Sequence, residues 1–129
     1  MRVHIKAVLV AVLSLTAACS TTPSKKAEAD PDFSTHFNAG LDAARQGRHE
    51  AALVEYVKAL GLEPKNAEVH FMAAQSQKAL GRTDGTIEAY RRALAANPAH
   101  AGALEGLGLQ LLQTGKRDAA KPYLERAIV

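Results

Sequence analysis

Apolar and small residues recur three and four positions apart from residue 33 onward, a spacing that predicts amphipathic helices. The pattern itself returns every 34 residues, because Gly47, Gly81 and Gly115 interrupt it at that interval. Glycine in this position is typical of a helix end, and Pro64 and Pro98 then close the first two units. The sequence therefore predicts three helix pairs, over residues 33–66, 67–100 and 101–129.

Charged residues follow the same interval in each predicted second helix. The first turn carries an acid and the last turns carry a base, which complements the helix dipole. These residues are Glu50, Asp84 and Asp118, and Lys58, Arg92 and Arg126. An array of stacked units with this period is typical of proteins that bind other proteins.

Small, aromatic and proline residues occupy fixed places in each unit. In the first unit they are Ala39, Gly40, Ala52, Tyr56, Ala59 and Pro64, in the second Ala73, Ala74, Tyr90, Ala93 and Pro98, and in the third Leu107, Gly108, Ala120, Leu124 and Ala127. This set resembles the signature of the tetratricopeptide repeat family. The resemblance implies an all-α fold in which helix-turn-helix repeats stack in a right-handed superhelix.

The third unit departs from the other two. Gly102, Gly106 and Gly108 lie in its first helix, where an interior glycine costs about 1 kcal/mol relative to alanine, so we expect this helix to be the softest. Pro122 lies inside the last helix and predicts a slight local distortion. The last predicted helix is also followed by no polar capping helix of the kind that such arrays usually carry.

The first 18 residues read as a signal peptide, with a basic start and an apolar run too short to span a bilayer. Cys19 follows, and Leu15 to Cys19 resembles the lipobox of bacterial lipoproteins, which implies lipidation of Cys19. Thr16 departs from that motif, since a large aliphatic residue usually stands there. The same bond also suits ordinary signal peptidase, which would release a soluble periplasmic protein.

Residues 19–32 contain no large apolar side chain and predict a flexible, disordered tether behind the lipidated N-terminus. Ser20 favours the outer membrane by resemblance to the sorting rule of enteric lipoproteins. The formal net charge of +3 falls to +1 without Arg2 and Lys6, which gives no support to nucleic-acid binding.

No arrangement of nucleophile, base and acid in the sequence indicates catalysis. His36 and His70 lie one repeat apart, and we interpret them as packing residues rather than metal ligands, because successive units are separated by a helix-packing distance of about 10 Å. The sequence therefore predicts a protein that is not an enzyme and uses neither a cofactor nor a metal.

The family resemblance implies that the first helices line a concave groove. The groove residues that it implies are Phe37, Leu41, Ala44 and Arg45 in the first unit, Phe71, Met72, Gln75 and Lys78 in the second, and Glu105, Leu109, Leu112 and Gln113 in the third. Phe37 and Leu41 occupy places where some relatives carry a carboxylate clamp, so we expect no clamp here. A largely apolar groove suits an amphipathic helix or an extended peptide.

Together these features predict a non-catalytic interaction scaffold, lipid-anchored in a bacterial cell envelope and facing the periplasm. It resembles small lipoproteins that aid assembly of a type IV or Tad-type pilus or its secretin. Two alternatives stay open. The chain could self-associate through its uncapped last helix as a homodimer, or it could act as a regulatory adaptor for a cell-wall enzyme.

Overall fold

The computed structural model describes residues 31–129, and within them the chain is helical with no strand. The predicted signal peptide, Cys19 and most of the tether lie outside the described residues. The described helices are α1 (Phe33–Arg45), α2 (His49–Leu62), α3 (Ala67–Ala79), α4 (Thr83–Ala96), α5 (Ala101–Gln113) and α6 (Arg117–Ala127). The prediction of an all-α fold made of three helix pairs is confirmed.

Each helix packs on its neighbours in sequence, so the pairs stack in chain order. We call the α1–α2 pair unit 1, α3–α4 unit 2 and α5–α6 unit 3. The packing of unit 2 on unit 1 is junction 1, and the packing of unit 3 on unit 2 is junction 2.

The first helix of each unit begins at a side-chain cap. Asp32, Asn66 and His100 accept a hydrogen bond from the backbone N–H three residues later, which satisfies one of the unpaired donors at a helix start. At Asp32, the bond from the Thr35 N–H is the main reason why the pKa of the carboxyl is lowered. The second helices have no such cap, because the residues that precede them, Arg48, Arg82 and Lys116, make no side-chain capping bond.

Glycine ends the first helix of every unit because the backbone there is left-handed. Gly47, Gly81 and Gly115 have φ angles of 74°, 71° and 78°, a region that residues with a Cβ rarely adopt. The prediction that these glycines end the helices is confirmed. The turn that follows each glycine lets the next helix pack back on the first.

Two clusters of buried side chains form the core. One surrounds Tyr56 in unit 1 and includes Val69 of α3, and the other surrounds Tyr90 and extends over α5 through Leu107 and Leu111. Both tyrosines are about 1% exposed. The tyrosine at the repeating aromatic position is therefore the largest fully buried side chain in each of the first two units.

The glycines of α5 are places of close approach. A Cβ at Gly102 would lie 2.9 Å from the Phe71 ring, one at Gly106 would overlap the Tyr90 ring, and one at Gly108 would overlap Leu124. Neighbouring side chains thus lie directly on the α5 backbone, and α5 has more buried residues than any other described helix. We expected these glycines only to soften α5, but their surroundings show that they make room for tight packing. Helix α6 continues through Pro122.

Candidate peptide-binding site

The residues of the predicted groove lie on α1, α3 and α5, and we call this surface the first-helix face. The structure divides them into two groups. The half-buried group packs on the core and comprises Phe37, Leu41, Ala44, Phe71 and Met72. The exposed group comprises Arg45, Gln75, Lys78, Glu105, Leu109, Leu112 and Gln113.

The two phenylalanines are half-buried and make aromatic contacts, Phe37 within unit 1 and Phe71 both within unit 2 and across junction 2. The Phe37 ring stacks on Phe33 at 5.7 Å between centroids and tilts against Tyr56 at 6.3 Å. The Phe71 ring lies 6.0 Å from Tyr90 and 4.8 Å from the imidazole of His100. Phe71 therefore links α3 with α4 and with the start of α5, and its removal would disturb the fold.

The apolar part of the first-helix face that remains open lies on α5. Leu109 is 42% exposed and Leu112 is 40% exposed. In units 1 and 2 the exposed groove residues are instead polar, namely Arg45, Gln75 and Lys78. The face is thus less uniformly apolar than the sequence predicted, because the large apolar residues of α1 and α3 are partly used in packing.

A cavity of about 340 Å³ opens at junction 1 on the first-helix face. It brings together the predicted Leu41, Arg45, Met72 and Gln75, and it is also lined by two residues of α2, His49 and Tyr56. From the sequence, Tyr56 is predicted only as the repeating aromatic position, and His49 is not predicted as a groove residue. The sequence feature that could have indicated them is the polar group that each side chain carries, a hydroxyl in Tyr56 and an imidazole in His49.

Two polar atoms of residues that line this cavity are unsatisfied. The Tyr56 hydroxyl and Nδ1 of His49 are buried and have no hydrogen-bond partner among residues 31–129. Burial raises the pKa of the Tyr56 hydroxyl, while the nearby Arg45 guanidinium acts in the opposite direction. Arg45 itself is 3.1 Å from a carboxylate oxygen of Asp42, and both side chains are largely exposed.

A second, larger cavity of about 810 Å³ lies away from the first-helix face, between the ends of α2 and α4. Val57, Leu60, Lys65 and Arg92 contribute to its walls. Val57 is 68% exposed and is not among the residues that the sequence predicts for a binding surface. The aligned position in unit 2 is a charged residue, Arg91. An apolar residue where the next unit has a charged one is the sequence feature that could have indicated this cavity.

The two histidines that align across units, His36 and His70, are both hydrogen-bonded within their surroundings. His36 Nδ1 donates to a Glu55 carboxylate oxygen at 2.8 Å, and His70 Nε2 donates to the Pro64 carbonyl at 2.9 Å. Hydrogen bonds from Lys58 and then His36 lower the pKa of Glu55. Within the described part of the chain, no three His, Cys, Asp or Glu side chains lie together in a way that could hold a metal ion.

Family models match the helical part of the chain in two overlapping stretches. A TPR repeat model matches residues 40–81, and a tetratricopeptide repeat model matches residues 71–129. The chain belongs to the tetratricopeptide repeat family. Tetratricopeptide repeats are scaffolds for protein–protein interaction and are generally not catalytic. None of the curated proteins matches the chain in sequence.

Solved tetratricopeptide structures share the fold. A crystal structure of MamA has a TM-score of 0.73 and 22% identity, covering 76% of this chain and 57% of that chain. The first TPR domain of Spaghetti (RPAP3) bound to the HSP90 peptide SRMEEVD has a TM-score of 0.71 and 21% identity, covering 75% and 79%. The second domain, bound to the same peptide, has a TM-score of 0.71 and 16% identity, covering 75% and 90%.

The chain thus spans little more than half of the MamA chain. At these identities the likeness concerns the fold. Among the helices described between residues 31 and 129, none combines the length and the apolar content that a membrane span needs.

Proposed function

We propose that this protein is a lipid-anchored adaptor of a bacterial envelope, which binds a segment of a partner protein on its first-helix face. The observation that carries the proposal is the exposure of Leu109 and Leu112 on α5. Burying such side chains gains about 25 cal/mol per Å² of apolar surface, so an apolar anchor of a partner has a place to bind. The flanking Gln75 and Lys78 supply polar groups that fix its orientation.

The partner segment is an amphipathic helix or an extended peptide. Two supports come from the comparisons. The chain belongs to a family of interaction scaffolds, and the two domains of Spaghetti, which share its fold, are bound to a peptide. The partner itself belongs to an envelope complex, such as a type IV or Tad-type pilus or its secretin, and this part of the proposal rests on the predicted signal peptide and lipobox alone.

A matched pair of double variants tests the binding surface. Leu109→Glu with Leu112→Glu places charges on the first-helix face, whereas Val54→Glu with Val57→Glu places them on α2 at side chains that are 55% and 68% exposed. All four positions are exposed, so circular dichroism should show normal helix content in both variants. Photocrosslinking in the native envelope, followed by mass spectrometry, should lose the partner only in the α5 variant.

Loss of the partner in the α2 variant, with the α5 variant unaffected, would contradict the proposed surface. The anchor is tested separately, because Cys19→Ala should move the protein from the membrane fraction to the periplasm. An unchanged distribution would contradict lipidation.

Self-association remains a competing hypothesis because Ile128 of the α6 C-cap is 84% exposed. Light scattering on the full-length protein at micromolar concentration separates the two ideas. A monomer would exclude the dimer at that concentration, and a dimer that Ile128→Glu dissociates would favour it.

A further inference from the structure

The cavity at junction 1 is lined by buried polar atoms and by a cationic side chain. The Tyr56 hydroxyl and Nδ1 of His49 are buried without partners among the described residues, although burying such groups unpaired costs free energy. Both residues line the same cavity, together with Arg45 and Gln75. The residues that line it include one guanidinium, that of Arg45, and no aspartate or glutamate.

The aligned tyrosine of unit 2 has the opposite electrostatic surroundings. Burial raises the pKa of both hydroxyls, but the charge that acts on Tyr56 is the cation of Arg45, whereas the charge that acts on Tyr90 is the anion of Glu105. The sign of the proposed ligand comes from the lining of the junction 1 cavity, which includes the guanidinium of Arg45 and no carboxylate.

We propose that this cavity is a subsite for the side-chain carboxylate of a partner segment, bound by the Tyr56 hydroxyl and the Arg45 guanidinium. The inference rests on the proposed function of the first-helix face and names the chemistry of its partner. The Tyr56 O–H donates to one carboxylate oxygen. Arg45, which now pairs with exposed Asp42, turns toward the ligand and pairs with the same carboxylate.

The walls of the cavity define the residues beside that carboxylate. Leu41 and Met72 present apolar surface, so the acidic residue of the partner is flanked by an apolar one. Met72 has a flexible side chain and lies where it can move to admit the ligand to the buried hydroxyl. Gln75 on α3 is exposed and can hydrogen-bond the backbone of the bound segment.

Three short peptides test the subsite against the full-length chain. They are acetylated and amidated, share a leucine-rich frame and differ only in a central glutamate, glutamine or lysine. We expect the glutamate peptide to bind at least about tenfold more tightly than the glutamine peptide, because hydrogen bonds to a charged group are stronger than those to a neutral one. Isothermal titration calorimetry measures the three dissociation constants.

Tyr56→Phe and Tyr90→Phe form the matched pair of variants. The first should remove most of the preference for glutamate over glutamine, and the second should leave it unchanged. Arg45→Gln, at an exposed side chain that is safe for the fold, should also reduce the preference several-fold. Thermal unfolding confirms that each variant is folded.

Equal affinity for the glutamate and glutamine peptides, no measurable binding of any peptide, or an equal loss in Tyr90→Phe would overturn the subsite. The proposed function would survive that result if the charged α5 variant still lost its partner in the envelope. If the α5 variant kept its partner, the proposed function would fail. The peptide titration would then still show whether the cavity prefers a carboxylate.

Discussion

The two junctions between units are built on the same scaffold but packed differently. At junction 2, Gly102 and Gly106 let the rings of Phe71 and Tyr90 lie directly on the α5 backbone. At junction 1 the residue aligned with Gly106 is Met72, and a cavity with two unsatisfied polar groups opens there. On this face, junction 2 is therefore closely packed, whereas junction 1 leaves a cavity.

The largest expected effect concerns the aligned phenylalanines. Phe71→Ala removes contacts with Tyr90 and His100 and should destabilise the fold by about 3 kcal/mol. Phe37→Ala, at the same place in unit 1, loses contacts within its own unit and should cost about half as much. Urea unfolding measures both values. Equal costs would mean that the contacts of Phe71 across junction 2 add nothing to those that a phenylalanine makes within its own unit.

Adding a methyl group at junction 2 should have the next largest effect on the free energy of unfolding. Gly106→Ala forces a Cβ against the Tyr90 ring and should destabilise the protein by about 2 kcal/mol. Gly61→Ala in α2 is the control, because nothing lies near its Cβ, and it should stabilise by about 0.5 kcal/mol. A neutral Gly106→Ala would show that α5 can move away and that the close approach is not required.

Removal of each tyrosine hydroxyl should change the free energy of unfolding differently at the two tyrosines. Tyr56→Phe removes an unsatisfied buried group and should raise the free energy of unfolding by about 1 kcal/mol. Tyr90→Phe should change it by less than about 0.5 kcal/mol, since its hydroxyl carries no such penalty. If Tyr56→Phe is destabilising in thermal unfolding, the hydroxyl already has a partner in the free protein.

The smallest effect concerns the ion pair across junction 1. Arg82 donates to a Glu50 carboxylate oxygen at 2.7 Å, and both side chains are well exposed. Such pairs contribute little, so Arg82→Gln should cost about 0.5 kcal/mol at low salt and less at high salt. A loss above about 1.5 kcal/mol, independent of salt, would mean that junction 1 depends on polar contacts more than we infer.

The helices and their ends could be predicted from the sequence because they depend on local chemistry. The glycines that end the first helices and the apolar spacing of each helix are local patterns, and their return every 34 residues can be read directly from the sequence. The prediction that Phe71 lines an open groove was less complete. Its ring is half-buried because Gly102, from the next unit, leaves room for it, and this depends on how α3 and α5 align in space.

The cavity at junction 1 could not be predicted for a similar reason. His49 comes from α2 and Met72 from α3, and each looks ordinary in its own helix. That the Tyr56 hydroxyl has no partner among residues 31–129 follows only from the positions of the groups around it. Properties of a single repeat are readable from the sequence, whereas differences between junctions need the packed structure.

The most direct test of the account is a nuclear magnetic resonance titration that locates the bound peptide. The leucine-rich glutamate peptide is added to the full-length chain, and amide shifts are compared at the two cavities. We predict that Ala44, Gln75 and Ser76 around the junction 1 cavity shift strongly, while Gly61 and Ala95 at the larger cavity do not. Shifts centred on Gly61 and Ala95, with Gln75 unmoved, would contradict binding on the first-helix face.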